Sequence, residues 1–315
     1  MALSDYVNMF GQWLIARYGE RVHKVSVDAD FTCPNRDGSK GIGGCTFCNN
    51  SSFSPNSRRQ SVPVAEQIAA GQEVIGRRTR AKKFLAYFQA YTNTYAELEY
   101  LKGLYDEALH QPGVIGLSVG TRPDCVPEDV LDLLADYQAQ GKEVWLELGL
   151  QSAFDSSLER VNRGHGFAEY RETLHAARAR GLPVCTHLIL GLPGETAWHS
   201  RVTLERVLEE GVDGLKLHPL HVVKGTALAN EWRRGEYRPW GFEQYIETAA
   251  DLIEMTPPEV VYHRVTGTAS KKILLAPEWC NWKWRVLNAI EHELARRGTG
   301  QGQDGPKQTA GAERA

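Results

Sequence analysis

Between residues 4 and 18, Tyr6, Met9, Phe10, Trp13, Leu14 and Tyr18 recur at helical spacing and predict an amphipathic helix. The period then changes. Short, nearly continuous apolar runs at about 23–29, 84–89, 114–119, 143–149, 184–190 and 214–221 read as strands covered on both faces. Helical periodicity fills the intervals at 62–78, 96–110, 127–140, 169–180 and 198–210. The last three helices close on Gly141, Gly181 and Gly211, residues that cap helix ends well. This alternation predicts a parallel sheet, in the α/β class, curled into a partial (β/α)6 TIM-type barrel. Beyond residue 224 the pattern loosens, with helices at 241–255 and 281–297 and a short seventh strand at 259–265. The expected organisation is an N-terminal helix (1–22), the partial barrel (23–223), a C-terminal α/β extension (224–297) and a Gly/Gln-rich tail (298–315) without apolar period, expected to be disordered.

The polar and glycine-rich clusters follow strand ends. Asp28–Phe31 leads into a cysteine loop, and 90–94, 120–124, 150–152 and 191–195 close the next strands. In a β/α barrel the active site forms at that face.

The cysteine loop runs Cys33-x11-Cys45-x2-Cys48, with Gly38, Gly41, Gly43 and Gly44 inside it. Glycines let a backbone wrap closely round a compact object, and three soft sulfur ligands suit zinc or an iron–sulfur cluster. No fourth cysteine or histidine follows at ligand spacing, whereas a structural zinc site is closed by four protein ligands. Three thiolates and an open position suggest a cluster iron left free to bind something else. A zinc site completed by a distant histidine, or a disulfide with a spare thiol, are the competing readings.

Composition narrows the class. With 315 residues the chain can bury a barrel-sized core, and a formal charge of −3 gives no global basic footprint for nucleic acid. Six cysteines are too few for a disulfide scaffold. The N-terminal segment lacks the three parts of a signal peptide, and no apolar run reaches membrane-spanning length. The expected location is cytoplasmic, where thiolates stay reduced.

With these motifs the chain resembles a radical S-adenosylmethionine (SAM) enzyme of the elongator-like branch, in the YhcC-like subgroup, over about residues 20–297. The widened first cysteine spacing matches that subgroup. The resemblance implies that Cys33, Cys45 and Cys48 hold a [4Fe–4S] cluster whose remaining iron binds the amino and carboxylate groups of SAM. It places Phe47 near the adenine, and Gln89 and Tyr91 in the loop that holds the methionine amino group. Glu147 and Gln151 stand in the motif that reaches the ribose, Arg163 at the methionine carboxylate, and His187 in the adenine-side motif. It further implies an electron donor such as flavodoxin or ferredoxin, and a tRNA substrate modified at the wobble uridine. A small-molecule substrate, or a non-catalytic iron–sulfur or zinc protein, are the alternatives. No single catalytic side chain is assigned.

Other residues carry weaker signals. His218 and His221 end the sixth strand and are candidates for the substrate end. Asp124 and Glu147, at strand ends, read either as acid/base groups or as caps of the following turns. Cys125 and Cys185 read as small buried hydrophobes, and Cys280 as that or a reactive thiol. The basic run from Arg77 to Lys83 precedes a strand, so it is expected on the opposite face as a solvated surface. Lys271, Lys272, Lys283 and Arg285, interleaved with Trp279, Trp282 and Trp284, suit stacked bases and phosphates or simple helix packing.

Overall fold

A computed structural model describes residues 2–49 and 62–303. Its strands are β1 (Val22–Val27), β2 (Lys83–Phe88), β3 (Val114–Thr121), β4 (Glu143–Gln151), β5 (Val184–Leu190), β6 (Gly214–Pro219), β7 (Val222–Val223), β8 (Val261–Arg264) and β9 (Leu274–Ala276). A seven-stranded sheet runs in the order β1-β2-β3-β4-β5-β6-β8, every neighbour parallel. β8, from the C-terminal extension, therefore adds a seventh strand to the six of the barrel. β7 and β9 form a separate antiparallel pair.

Ten helices are present among the described residues: α1 (Phe10–Tyr18), α2 (Val64–Thr79), α3 (Leu98–Leu109), α4 (Glu128–Ala139), α5 (Asp155–Arg160), α6 (Phe167–Ala179), α7 (Ala197–Glu209), α8 (Ala227–Arg233), α9 (Phe242–Met255) and α10 (Lys283–Arg297). The short α5 and α8 fell within stretches that read as loop in the sequence. No helix among the described residues is long and apolar enough to cross a membrane.

Strand alternation sorts the side chains. Along β4, Val144, Leu146, Leu148 and Leu150 point to the outer core beneath the helices. Trp145, Glu147, Gly149 and Gln151 alternate with them and face the inside. The inner face is layered. At the bottom, Val22, Leu85, Trp145, Cys185 and Val261 pack against Phe10 and Leu14 of α1. α1 touches both edge strands, β1 and β8, and so plugs the floor of the half barrel. Phe10 stands edge-on to Trp145 at 5.3 Å and stacks on His263 at 3.8 Å.

The tail expected to be disordered from residue 298 is in part packed. Gly298 caps α10, and Gln301 is buried, donating to the carbonyls of Pro257 (2.8 Å) and Val260 (2.7 Å) and accepting from Asn8 N–H (2.8 Å). Backbone groups near the barrel floor supply the partners that a polar sequence alone does not reveal. Residues 304–315 lie outside the described residues.

Candidate active site

Above the apolar floor lies a polar layer to which every strand of the large sheet contributes: Lys24, Tyr87, Ser118, Glu147, His187, Lys216 and His263. Its hub is the fully buried Glu147. Lys24 and Lys216 form ion pairs with its two oxygens, Ser118 donates to Oε1 at 2.5 Å, and His187 Nε2 sits 2.8 Å from Oε2. Lys216 also donates to Tyr87 Oη at 2.8 Å. Burial works against the Glu147 charge, yet Lys216 and Lys24 hold its carboxyl well below the usual range. Burial, partly offset by Glu147, lowers Lys216 to about 8. Burial, reinforced by the Lys216 charge, pushes His187 down to about 4.

A cleft of about 250 Å³ opens over this layer. Cys33, Cys45 and Cys48 line it, as do Phe47, Gln89, Tyr91, Gln151, Arg163 and His187. His218 and His221 line it too. Glu147 does not. It is buried and faces the barrel interior below the cleft. Two rim residues, Tyr91 (φ 64°) and Gln151 (φ 82°), hold left-handed backbone angles that are costly for such side chains. Strain of this kind collects at functional loops.

The cysteine loop is stitched in place from several sides. Gly44 N–H donates to Asn35 O (2.7 Å), Thr46 N–H to Val161 O (2.9 Å), and Asn162 Nδ2 to Gly44 O (2.9 Å). Arg36 reaches over to Cys48 O at 2.8 Å. All six cysteines are free. Among the described residues no three His, Cys, Asp or Glu groups are gathered tightly enough to hold a single ion. A cluster is a larger body than an ion and needs its thiolates spread around it.

The donor chemistry fits such a cluster. Arg163 Nη1 lies 3.5 Å from Cys45 Sγ and Asn35 Nδ2 3.9 Å from it. Arg36 is close enough to sense the charges of Cys48 and Cys33, and Arg122 that of Cys33. Without a metal, burial and then the charge of Cys45 push the Cys48 thiol up to about 11. Cationic surroundings and a coordinating metal are what favour thiolates. Arg163 is itself buried, donates from Nη2 to Gly149 O at 2.6 Å, and leaves its Nε without a partner.

The Radical SAM superfamily sequence model matches residues 33–207, and the Radical_SAM C-terminal domain matches residues 212–296. The chain belongs to the radical SAM superfamily. Protein YhcC of Escherichia coli (strain K12) is 52% identical over 298 residues, covering 95% of each chain. The tRNA uridine(34) acetyltransferase of Dehalococcoides mccartyi is 32% identical over 171 residues, 53% of this chain and 36% of its own. An archaeal Elp3 structure from Methanocaldococcus infernus superposes with a TM-score of 0.67 at 20% identity, over 89% of this chain and 64% of its own, a likeness of fold. This radical SAM enzyme falls in the YhcC-like, elongator-like branch, and the superfamily as a whole implies SAM and a [4Fe–4S] cluster.

The remaining candidates resolve as follows. Asp124 forms a two-point pair with Arg122 (2.9 Å each) and meets Lys40 at 2.6 Å. Burial opposes its charge, but the bond and charge of Arg122 hold it down to about 2, which makes it a brace instead of a proton carrier. Cys280 is 1% exposed, and burial pushes its thiol up, so it packs as a thiol. Of the basic run, Arg77 pairs with Glu73 on α2, and Lys83 with Glu20 at 3.1 Å. Trp279 is buried and donates to Trp240 O at 3.2 Å, whereas Trp282 and Trp284 are exposed. Arg36, Arg122, Arg264, Lys24, Lys216 and His263 were not singled out from the sequence. One signal existed for the last three: a polar residue stands mid-strand at every other position of otherwise apolar runs.

Proposed function

We propose that this radical SAM enzyme cleaves SAM reductively at a [4Fe–4S] cluster held by Cys33, Cys45 and Cys48, and uses the resulting radical to modify tRNA at the wobble uridine. The observation carrying the first half is the convergence of all three thiols with Arg163, Gln151 and His187 in one cleft. When bound, the cluster supplies one electron to the SAM sulfonium, whose carbon–sulfur bond breaks to methionine and a 5′-deoxyadenosyl radical.

This chain's residues orient the cofactor. The unpartnered Arg163 Nε and its neighbouring amines offer a fork for the methionine carboxylate. Gln151 presents donor and acceptor to ribose hydroxyls, and Phe47 a face to the adenine. Gln89 and Tyr91 border the amino group, and His187, held neutral with its N–H on Glu147, can accept at the adenine side. Glu147 keeps Lys24, Lys216 and His187 fixed beneath. An electron donor such as flavodoxin or ferredoxin supplies the reducing equivalent.

The RNA half is supported by the likeness to the tRNA uridine(34) acetyltransferase. A second support is the exposed patch of Trp284 (72% exposed), Lys283 and Arg285, since Lys283 lies close enough to the cleft's Arg264 to sense its charge. The test is anaerobic: reconstitute the cluster, add SAM and a strong reductant, and measure 5′-deoxyadenosine by mass spectrometry with and without bulk tRNA. Product that rises with tRNA supports both halves. Product indifferent to tRNA returns the substrate to small molecules, and no product with zinc in place of iron removes the reading.

A further inference from the structure

The β6–β8 side of the cleft is assigned to none of the SAM contacts proposed above, although the His218 ring lies 5.6 Å from that of His187. It is walled by Arg264 at the end of β8, His218 near the end of β6, His221 just after it, and the turn at Gly267 and Thr268. Arg264 is exposed to the cleft and has no hydrogen-bond or ion-pair partner among the described residues. The nearest carboxylate inside the barrel, Glu147, is already engaged by Lys24 and Lys216. The end of the cleft thus carries a positive charge without a counter-charge.

Two imidazoles stand beside it with unused nitrogens. His218 Nε2 and His221 Nε2 are both buried and without a partner. The other side of His221 is taken by a hydrogen bond with the Gly267 backbone. A Cβ at Gly267 would come within 2.8 Å of His218 Nδ1 and 3.5 Å of His221 Cε1, so the missing side chain is what lets both rings seat here. Burial, and then the charge of Arg264, holds His218 neutral. Burial lowers His221 to about 4. Each neutral ring has one N–H: that of His221 is spent on the Gly267 backbone, which leaves its Nε2 an acceptor, whereas His218 keeps an N–H to offer. Tyr87, which also lines the cleft, is engaged from below by Lys216 at 2.8 Å and by the Glu147 carboxylate. The unpaired Arg264 guanidinium and the buried His218 ring are donors without an acceptor. Buried donors of this sort are normally satisfied.

We infer that the end of the cleft at Arg264 and His218 is a binding site for an oxyanionic group of the substrate, a carboxylate or a phosphate. A guanidinium matches two oxygens of either group in one plane, and the His218 N–H adds a further donor. The inference rests on the radical SAM reading for the identity of the cleft. It names what the second ligand must carry, whichever substrate that proves to be.

Isothermal titration of the cluster-loaded protein with acetate and with inorganic phosphate tests it, run with and without saturating SAM. Saturable binding of at least one probe is expected in the wild type. It should weaken at least about ten-fold in Arg264→Gln, the loss typical of a charge-assisted bond, and recover in part in Arg264→Lys. Arg264 is exposed, so matched melting curves will show that the variants fold. A preference for acetate assigns a carboxylate, and one for phosphate a phosphate. Binding of neither probe, or binding equally strong in Arg264→Gln, overturns the site. SAM affinity read in the same experiment reports separately on the proposed function: its absence breaks that reading and leaves the anion result standing.

Discussion

Two polar regions lie one above the other inside the half barrel, and they are finished in different ways. In the lower one every lysine and the carboxylate have partners: Glu147 is met by Lys24, Lys216, Ser118 and His187. In the upper one Arg163 Nε, Asn35 Oδ1, His218 Nε2 and His221 Nε2 are buried and unmatched. On β6 the two regions are one inward-facing step apart, Lys216 below and His218 above, while Asn35, Arg163 and His221 reach the upper region from loops. The lower layer's charges are matched within the fold, with His263 Nε2 left over, whereas the upper layer leaves several groups for ligands. Charge buried at the hub of a sheet costs desolvation that only well-placed partners offset, so its geometry is rigid. That rigidity sets the height and direction of the cleft walls above it.

The contrast can be broken most completely at the cysteines. Cys45→Ala should abolish the brown absorbance of the reconstituted protein, and an unchanged spectrum removes Cys45 from the ligand set. In the lower layer, Glu147→Leu leaves Lys24 and Lys216 without a counter-charge and should cost about 3–5 kcal/mol in denaturant unfolding. Replacing both lysines by Met in that variant should recover much of the loss, which a purely packing role for Glu147 would not produce. In the upper layer Arg163→Ala should lower SAM affinity by roughly 10–100-fold, as expected for a charge-assisted bond, while iron content stays intact. Gly149→Ala acts the same way more weakly, because its Cβ would come within 2.8 Å of Arg163 Nη2 and 2.9 Å of Gln151 Nε2. Unaltered SAM binding in both variants would detach Arg163 from SAM.

The smallest effect is one of slope. Burial and then the charge of Lys24 keep His263 neutral in the fold, well below its ordinary value. As pH falls below about 6.5 the unfolded chain takes up a proton that the folded chain refuses, so stability present above that pH is lost on acidification. His263→Phe, which retains the stack on Phe10, should flatten the acid side of the stability curve by about 1 kcal/mol per pH unit. Parallel curves for the two proteins would show that His263 titrates alike folded and unfolded.

The sheet, its parallel order and the rim of loops were legible because apolar period and glycine caps mark strands and helices directly. The cysteine loop was legible because thiol spacing is local. The lower layer was missed for a physical reason: Lys24, Ser118 and Lys216 are single polar residues inside apolar runs, and only closure of the sheet brings them to one point. Glu147 was read with Gln151 as one strand-end motif, but it lies four residues earlier in β4, buried below the cleft that Gly149 and Gln151 line. Arg36, Arg122 and Arg264 come from three distant loops and strand ends, so their convergence is a property of topology. The packing of Gln301 depends on backbone carbonyls at 257 and 260, which leave no mark in composition.

The most direct test of the three-thiol, open-iron centre is the electron paramagnetic resonance spectrum of the reduced, cluster-loaded protein before and after SAM is added. SAM bound at the free iron should change the g-values in the wild type, and the change should need a higher SAM concentration in Arg163→Ala. A reduced-cluster spectrum indifferent to SAM would contradict the assignment of this cleft as the place where SAM meets the cluster.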